Sequence, residues 1–247
     1  MTLWQTFDDE LGLWREAGKQ VRFWLRDDDA VTPTPALEHL LTLDLPVTIA
    51  AIPATATGAL ADRLADEAEV DVAVHGYAHQ NHAPPGEKKR EIGLERGRAT
   101  ILGELAAGLE RMRTLFGNRL LPLLVPPWNR IDEELLTDLP SLGFAALSTF
   151  GDKAIKPVQG LKVVNTHIDI IDWRGNRSGK SLEAVIDELV QVLRIRRMNK
   201  STDPIGILAH HLVHDDAAWH TLDGLAARIS LHDNASWTSS RALLAER

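Results

Sequence analysis

Three consecutive carboxylates, Asp27, Asp28 and Asp29, and two histidines four residues apart, His75 and His79, are the side chains of this sequence best suited to hold a divalent cation. Two imidazoles and one carboxylate leave an open position for water, as a catalytic zinc requires, and a second carboxylate beside the ligand can take that water's proton. Adjacent aspartates on an extended strand point to opposite faces, so the triplet can serve one cavity only at a ragged strand end. Read alone, the triplet fits a solvated turn or a helix cap better than a metal site. Thr32-Pro33-Thr34-Pro35, however, can start the next helix without three carboxylates. With no cysteine in the chain, any metal must sit on nitrogen and oxygen, which favours zinc and leaves cobalt, nickel and manganese open.

Further polar groups gather at His210, His211 and His214, at Pro126-Pro127-Trp128-Asn129-Arg130, and at Asp172-Trp173. A single histidine at a strand end is ordinarily structural, satisfied by a carboxylate; three close to another pair favour chemistry. Trp128 offers an aromatic face on which a sugar ring can stack. Trp173 and Leu208 suit a pocket wall, and His82 sits in a Pro-rich turn that suits a substrate rim. The run Glu87-Lys88-Lys89-Arg90-Glu91 reads as the solvated opening of a long helix.

The elements that must position these groups alternate along the chain. Apolar runs at 21–25, 47–52, 70–74, 120–125, 144–147, 161–164, 168–171 and 205–209 predict strands, and 35–43, 58–67, 87–116, 132–139 and 181–198 predict helices. Strands apolar nearly throughout belong to a sheet covered on both faces, and the alternation predicts parallel βα units. Each polar cluster follows the carboxyl end of a predicted strand, where parallel α/β folds collect their catalytic loops. Residues 1–247 read as one catalytic domain with helices added before Val21 and after Asp215, without linker or repeat.

Composition narrows the partners. The 27 basic and 35 acidic residues leave a net charge of -8, which argues against a broad nucleic-acid-binding face. No segment approaches the ~20 apolar residues of a membrane span, and the amino terminus has no basic region followed by an apolar run, so the expectation is a cytoplasmic protein that engages neither membrane nor nucleic acid. Oligomeric state is left open.

Taken in order, these motifs resemble the polysaccharide deacetylases, carbohydrate esterase family four, the NodB-homology proteins. Their pattern is Asp-Asp, His-x-x-x-His, a Pro-Pro-aromatic turn, Asp-x-x-Asp-Trp and Leu-x-His. The match runs over most of the chain: Asp28-Asp29, His75 to His79, Pro126-Pro127-Trp128, Asp169-Ile170-Ile171-Asp172-Trp173 and Leu208-Ala209-His210. The resemblance implies a distorted (β/α) barrel of about seven parallel strands. It also implies a metal held by Asp29, His75 and His79, Asp28 as base and His210 as general acid. Trp128, with Pro127 and Asn129, would form the oxyanion turn, and Asp172, Trp173 and Leu208 would lie along the substrate. Val125 stands where the family carries an arginine that orients the base, and Asn129 replaces a glycine. Arg26 and Arg130 are the two arginines placed to substitute. The implied reaction is metal-assisted hydrolysis of an N-acetylated saccharide. The rival readings are a hydrolase of another small or cyclic amide and a saccharide-binding relative without catalysis.

Overall fold

The computed structural model describes residues 3–153 and 155–246. In chain order the strands are β1 (Val21–Ala30), β2 (Val47–Ala51), β3 (Val70–His75), β4 (Leu120–Val125), β5 (Ala146–Leu147), β6 (Lys162–Val163), β7 (Ile168–Asp169), β8 (Ile205–Ala209) and β9 (Ala235–Trp237). They hydrogen-bond in the order β6-β5-β4-β3-β2-β1-β8-β7, with β9 added to β1. Every pair is parallel. Residues 162–170 form one bent ribbon: Lys162, Val164 and Thr166 donate to the carbonyls of Ala145, Leu147 and Thr149, and His167 and Ile170 donate to Gly206 and Leu208. The ribbon thus draws the two edges of the sheet together into a distorted barrel with seven strand positions around it, as the family resemblance implies.

The helices are α1 (Gln5–Glu16), α2 (Pro35–Leu41), α3 (Gly58–Leu64), α4 (Arg98–Phe116), α5 (Leu139–Leu142), α6 (Leu182–Met198), α7 (Asp216–Ser230) and α8 (Ser240–Ala245). Side-chain oxygens of Thr34, Thr57, Ser181, Asp215 and Ser239 accept amide hydrogens at the starts of α2, α3, α6, α7 and α8, which satisfies donors that a helix start leaves free. Gly117, at φ 48°, ends α4.

Alternation along the strands separates two cores. One face carries Phe23, Leu25, Val47, Ile49, Val72 and Val74 against the helices. The other carries Ala50, Ala73, Ala146, Leu121, Leu123 and Val125, smaller on average because they fill a barrel interior. On β1 the interior positions run Trp24, Arg26, Asp28 towards the carboxyl end. At the opposite end α8 closes the barrel: Leu243 packs with Trp24, Ser240 meets Thr48, and Arg241 pairs with Asp71.

Three sequence expectations are corrected. β1 continues to Ala30, so the acidic triplet lies within the strand rather than after it. The helix expected over 87–116 begins only at Arg98, after a loop and a short 3-10 turn (Leu94–Arg96). The helix expected over 132–139 is a 3-10 turn (Glu133–Leu135) followed by the short α5.

Candidate active site

Strand geometry explains how four consecutive polar residues of β1 reach different partners. Positions i and i+2 share a face. Arg26 and Asp28 therefore point together into the barrel, where Arg26 Nε and an Nη group donate to the two Asp28 carboxylate oxygens at 2.9 and 3.0 Å. Asp27 faces the other way and binds His211 twice, accepting from its backbone N–H at 2.7 Å and facing its Nδ1 at 2.5 Å. Asp29 would repeat that direction. Instead its φ is 77° and the β1–β2 register shifts between Asp28 and Ala30, a bulge that re-aims the side chain.

Re-aimed in this way, Asp29 presents Oδ1 to His75 Nε2 at 3.0 Å and to His79 Nε2 at 3.2 Å. Donor atoms of the three residues all lie within 4.8 Å of one another. His75 Nδ1 lies 3.0 Å from the Val125 carbonyl. That contact needs the proton on Nδ1 and turns the Nε2 lone pair of a neutral ring toward the Asp29 carboxylate. Two imidazole nitrogens and one carboxylate oxygen this close together are a donor set that could hold a cation, and its all-N/O composition suits zinc or a neighbouring first-row ion. The residues present therefore fit the metal that the resemblance implies.

Electrostatics follow the same geometry. Burial alone would raise the Asp29 pKa, but when His75 is protonated its hydrogen bond, with the fields of His75, His79 and His210, outweighs burial and holds the carboxyl well below the usual carboxylate range. Burial disfavours charge on His75, yet Asp28 and Asp29 overcome it and shift its pKa upward. Burial and the neighbouring His75 push His79 downward.

Val125 is fully buried and contributes only its carbonyl. The arginine beside the candidate base is Arg26, 0% exposed. Beyond Asp28, its guanidinium donates to Asn129 Oδ1 at 2.6 Å, Ser148 Oγ at 2.7 Å and the Thr149 carbonyl at 3.4 Å. Arg130 lies outside this network, donating to the Lys89 carbonyl. Asn129 links the guanidinium to the Pro126–Arg130 turn, where Trp128 and Asn129 both have positive φ, 55° and 56°. With Asp29 and His79 (56°), four of the seven non-glycine positive-φ residues described lie at this site, at a cost of about 1–2 kcal/mol each that the surrounding contacts must offset. The Trp128 ring lies 4.5 Å from that of His79.

His210 follows β8 and packs edge-on against Trp173, ring centroids 4.8 Å apart. Trp173 Nε1 donates to Asp169 Oδ2 at 2.9 Å. Burial raises the Asp169 pKa, opposed by His210 and by the N–H groups of Ile171 and Trp173. Asp169, not Asp172, is thus the carboxylate grouped with His210. Asp172 instead accepts from the amides of Arg174 and Gly175 and shapes a turn. Leu208 is fully buried beneath the rim, in register with Arg26 and Asp169, so it packs under the site rather than lining an open face. His214 Nε2 accepts from the His210 backbone N–H at 3.3 Å, and burial depresses its pKa to about 4. His82 joins the loop through its backbone, donating to the Arg90 carbonyl.

Three site residues carry no role of their own in the sequence pattern. Asp27 reads as part of the triplet, and Asp169 as one position of the Asp-x-x-Asp-Trp motif. Glu91 reads as part of a solvated helix face, whereas it is 2% exposed and bound to the His75–His79 loop. The signal available for Glu91 was its position beside Ile92, an apolar residue ending a charge run.

Neither a protein-family model nor a curated protein matches the sequence. Solved structures do match. A Mycobacterium smegmatis protein provisionally assigned as a polysaccharide deacetylase superposes with a TM-score of 0.65 at 15% identity, covering 92% of this chain and 90% of that one. A family 4 carbohydrate esterase from Streptomyces lividans, solved with acetate, gives 0.56 at 17% identity over 85% and 88%. A family 4 acetyl xylan esterase from Clostridium thermocellum, solved with cobalt, gives 0.55 at 12% identity over 90% and 89%. The chain therefore has the fold of the polysaccharide deacetylases and family 4 carbohydrate esterases.

Proposed function

We propose that this protein is a metal-dependent hydrolase that removes an acetyl group from an N-acetylated saccharide. The observation that carries the reading is the convergence of His75 Nε2 and His79 Nε2 on Asp29 Oδ1, next to a second carboxylate, Asp28, clamped by a buried arginine. Asp29, His75 and His79 would hold the ion, zinc by ligand type. When bound, such an ion supplies Lewis acidity and lowers the pKa of water toward ~7.

Asp28 accepts the proton of the attacking water. Arg26 engages both of its oxygens, yet each keeps a further lone pair, so the clamp fixes the carboxylate plane without disabling the base. Charge developing on the acetamide oxygen is met by the backbone N–H of Trp128, on the turn that Asn129 ties to Arg26. His210, between Trp173 and the site, gives a proton to the departing amine as the C–N bond breaks, leaving acetate and a free amino sugar. Trp128 and the 40%-exposed Trp173 offer faces for a sugar ring.

Support for the saccharide comes from the neighbours that share the fold: one was solved with acetate and another is an acetyl xylan esterase. No described helix is long and apolar enough to cross a membrane. The test is release of free amine and acetate from N-acetylated oligosaccharides, run beside cyclic amides, before and after chelation. Chelator-sensitive release from the sugars is expected. Turnover of cyclic amides alone, or a rate untouched by chelator, would sink the reading.

A further inference from the structure

The loop that carries His79 is built around a carboxylate that plays no part in the chemistry above. Glu91 Oε2 accepts the N–H of Tyr77 at 3.0 Å, and Oε1 accepts those of Ala78 at 2.8 Å and Gln80 at 3.3 Å. Backbone with a residue of positive φ at each end, Gly76 at 60° and His79 at 56°, turns successive N–H groups inward and makes an anion-binding concavity. Here the anion is a side chain of the chain itself.

Gly76 is part of the same device. A Cβ there would fall 2.1 Å from Glu91 Oε2 and 2.6 Å from the Pro127 ring, so the carboxylate occupies the space that any side chain at position 76 would need. The segment that delivers Glu91 is itself pinned to the Trp128 turn. Ile92 bridges Ile131, the Asp132 N–H donates to the Ile92 carbonyl at 2.9 Å, and Arg130 donates to the Lys89 carbonyl at 2.9 Å. Glu91 therefore ties the loop holding one candidate ligand to the turn proposed to face the acetamide oxygen.

We propose that Glu91 is a positioning residue of the metal centre: its carboxylate fills the backbone concavity of residues 76–80 and fixes His79 in the left-handed conformation that lets its imidazole meet Asp29. The inference rests on the metal reading above. Groups that orient a metal ligand are worth about 10–100-fold in metal affinity. Glu91→Gln keeps the shape of the side chain but turns an amide N–H₂ toward backbone donors, so part of the concavity loses its acceptor.

The experiment titrates the chelated full chain with cobalt(II), followed by calorimetry and by the visible d–d spectrum. The unmodified protein is expected to take one cobalt per chain. Glu91→Gln should bind it about 10–100-fold more weakly, with a d–d band altered by displacement of an imidazole. Gly76→Ala, which expels the carboxylate while leaving it in the sequence, should weaken binding in the same way. The double variant should lose less than the product of the two single losses, because both variants break the Glu91 contact and Gly76→Ala adds only its clash with the Pro127 ring. Unchanged affinity and spectrum in Glu91→Gln, or losses that multiply in the double variant, would overturn the inference while leaving the metal reading intact. Failure of the unmodified protein to take up cobalt would overturn the metal reading, and the inference with it. If circular dichroism shows that Glu91→Gln does not fold, Gly76→Ala carries the same test.

Discussion

On the flank formed by β1 and β3, the polar atoms are spoken for: His75 Nδ1 by the Val125 carbonyl, both Asp28 oxygens by Arg26, and both Glu91 oxygens by backbone amides. On the flank formed by β8, His210 Nδ1, His211 Nε2 and His214 Nδ1 are buried and have no partner among the described residues. Buried polar atoms are normally paired, and an unpaired one costs about 1–3 kcal/mol, so the β8 flank carries a cost that the β1–β3 flank does not.

Arg26 belongs to the rigid flank and shows how it is maintained. A buried ion pair gains little over an apolar pair of the same volume, because both charges lose water. Its value here is orientation, since the guanidinium fixes Asp28, Asn129 and Ser148 from one point. The Asp27–His211 pair does the equivalent across to β8, setting where the chain turns just after His210.

The contrast can be broken in four places, taken from the largest effect down. His75→Ala should remove both bound metal and turnover, as metal analysis of the purified variant beside an amine-release assay will show; full metal stoichiometry would take His75 out of the ligand set. His210→Ala should leave metal content intact and lower kcat by about 10²–10⁴-fold, the range of a lost general acid; loss of metal together with rate would merge the two flanks. Arg26→Met strands a buried carboxylate and should cost about 3–5 kcal/mol in denaturant unfolding, with much of it recovered when Asp28→Asn is added. The smallest effect is on pH dependence. His214 has its pKa depressed to about 4 in the folded protein from an ordinary ~6.5. The unfolded chain therefore binds the proton first as pH falls, and stability present above pH ~6.5 is lost down to pH ~4, by no more than about 3 kcal/mol. Unfolding of the chelated protein at pH 7 and pH 4.5 measures this, and His214→Gln should reduce the difference, while His167, also held down to about 4, keeps its own share.

The strands were the legible part of the fold. Runs such as 47–52, 70–74, 120–125 and 205–209 are apolar nearly throughout, and their observed bounds differ by a residue or less at either end. Helix starts were less legible. Residues 87–97 carry the helix-favouring run Glu87-Lys88-Lys89-Arg90-Glu91, yet tertiary contacts of Glu91 and Ile92 hold them as a loop, overriding weak local preference. The stretch 132–139 breaks for a local reason: Pro140 has no N–H to give the Leu136 carbonyl, so one helix cannot run through it, and α5 starts afresh with Pro140 in its first turn.

At the site, strand ends and residue types single out the acidic triplet and the two histidine groups, and the motif order that resembles the polysaccharide deacetylases nominates Asp28, Asp29, His75, His79 and His210 among them. Direction was beyond the sequence. The bulge at Asp29, the interior face shared by Arg26 and Asp28, the choice of Asp169 over Asp172 beside Trp173, and the burial of Glu91 each depend on where a side chain points once distant segments are packed. Periodicity along one strand does not encode that, because it is fixed by backbone twist, register and the contacts of segments dozens of residues away.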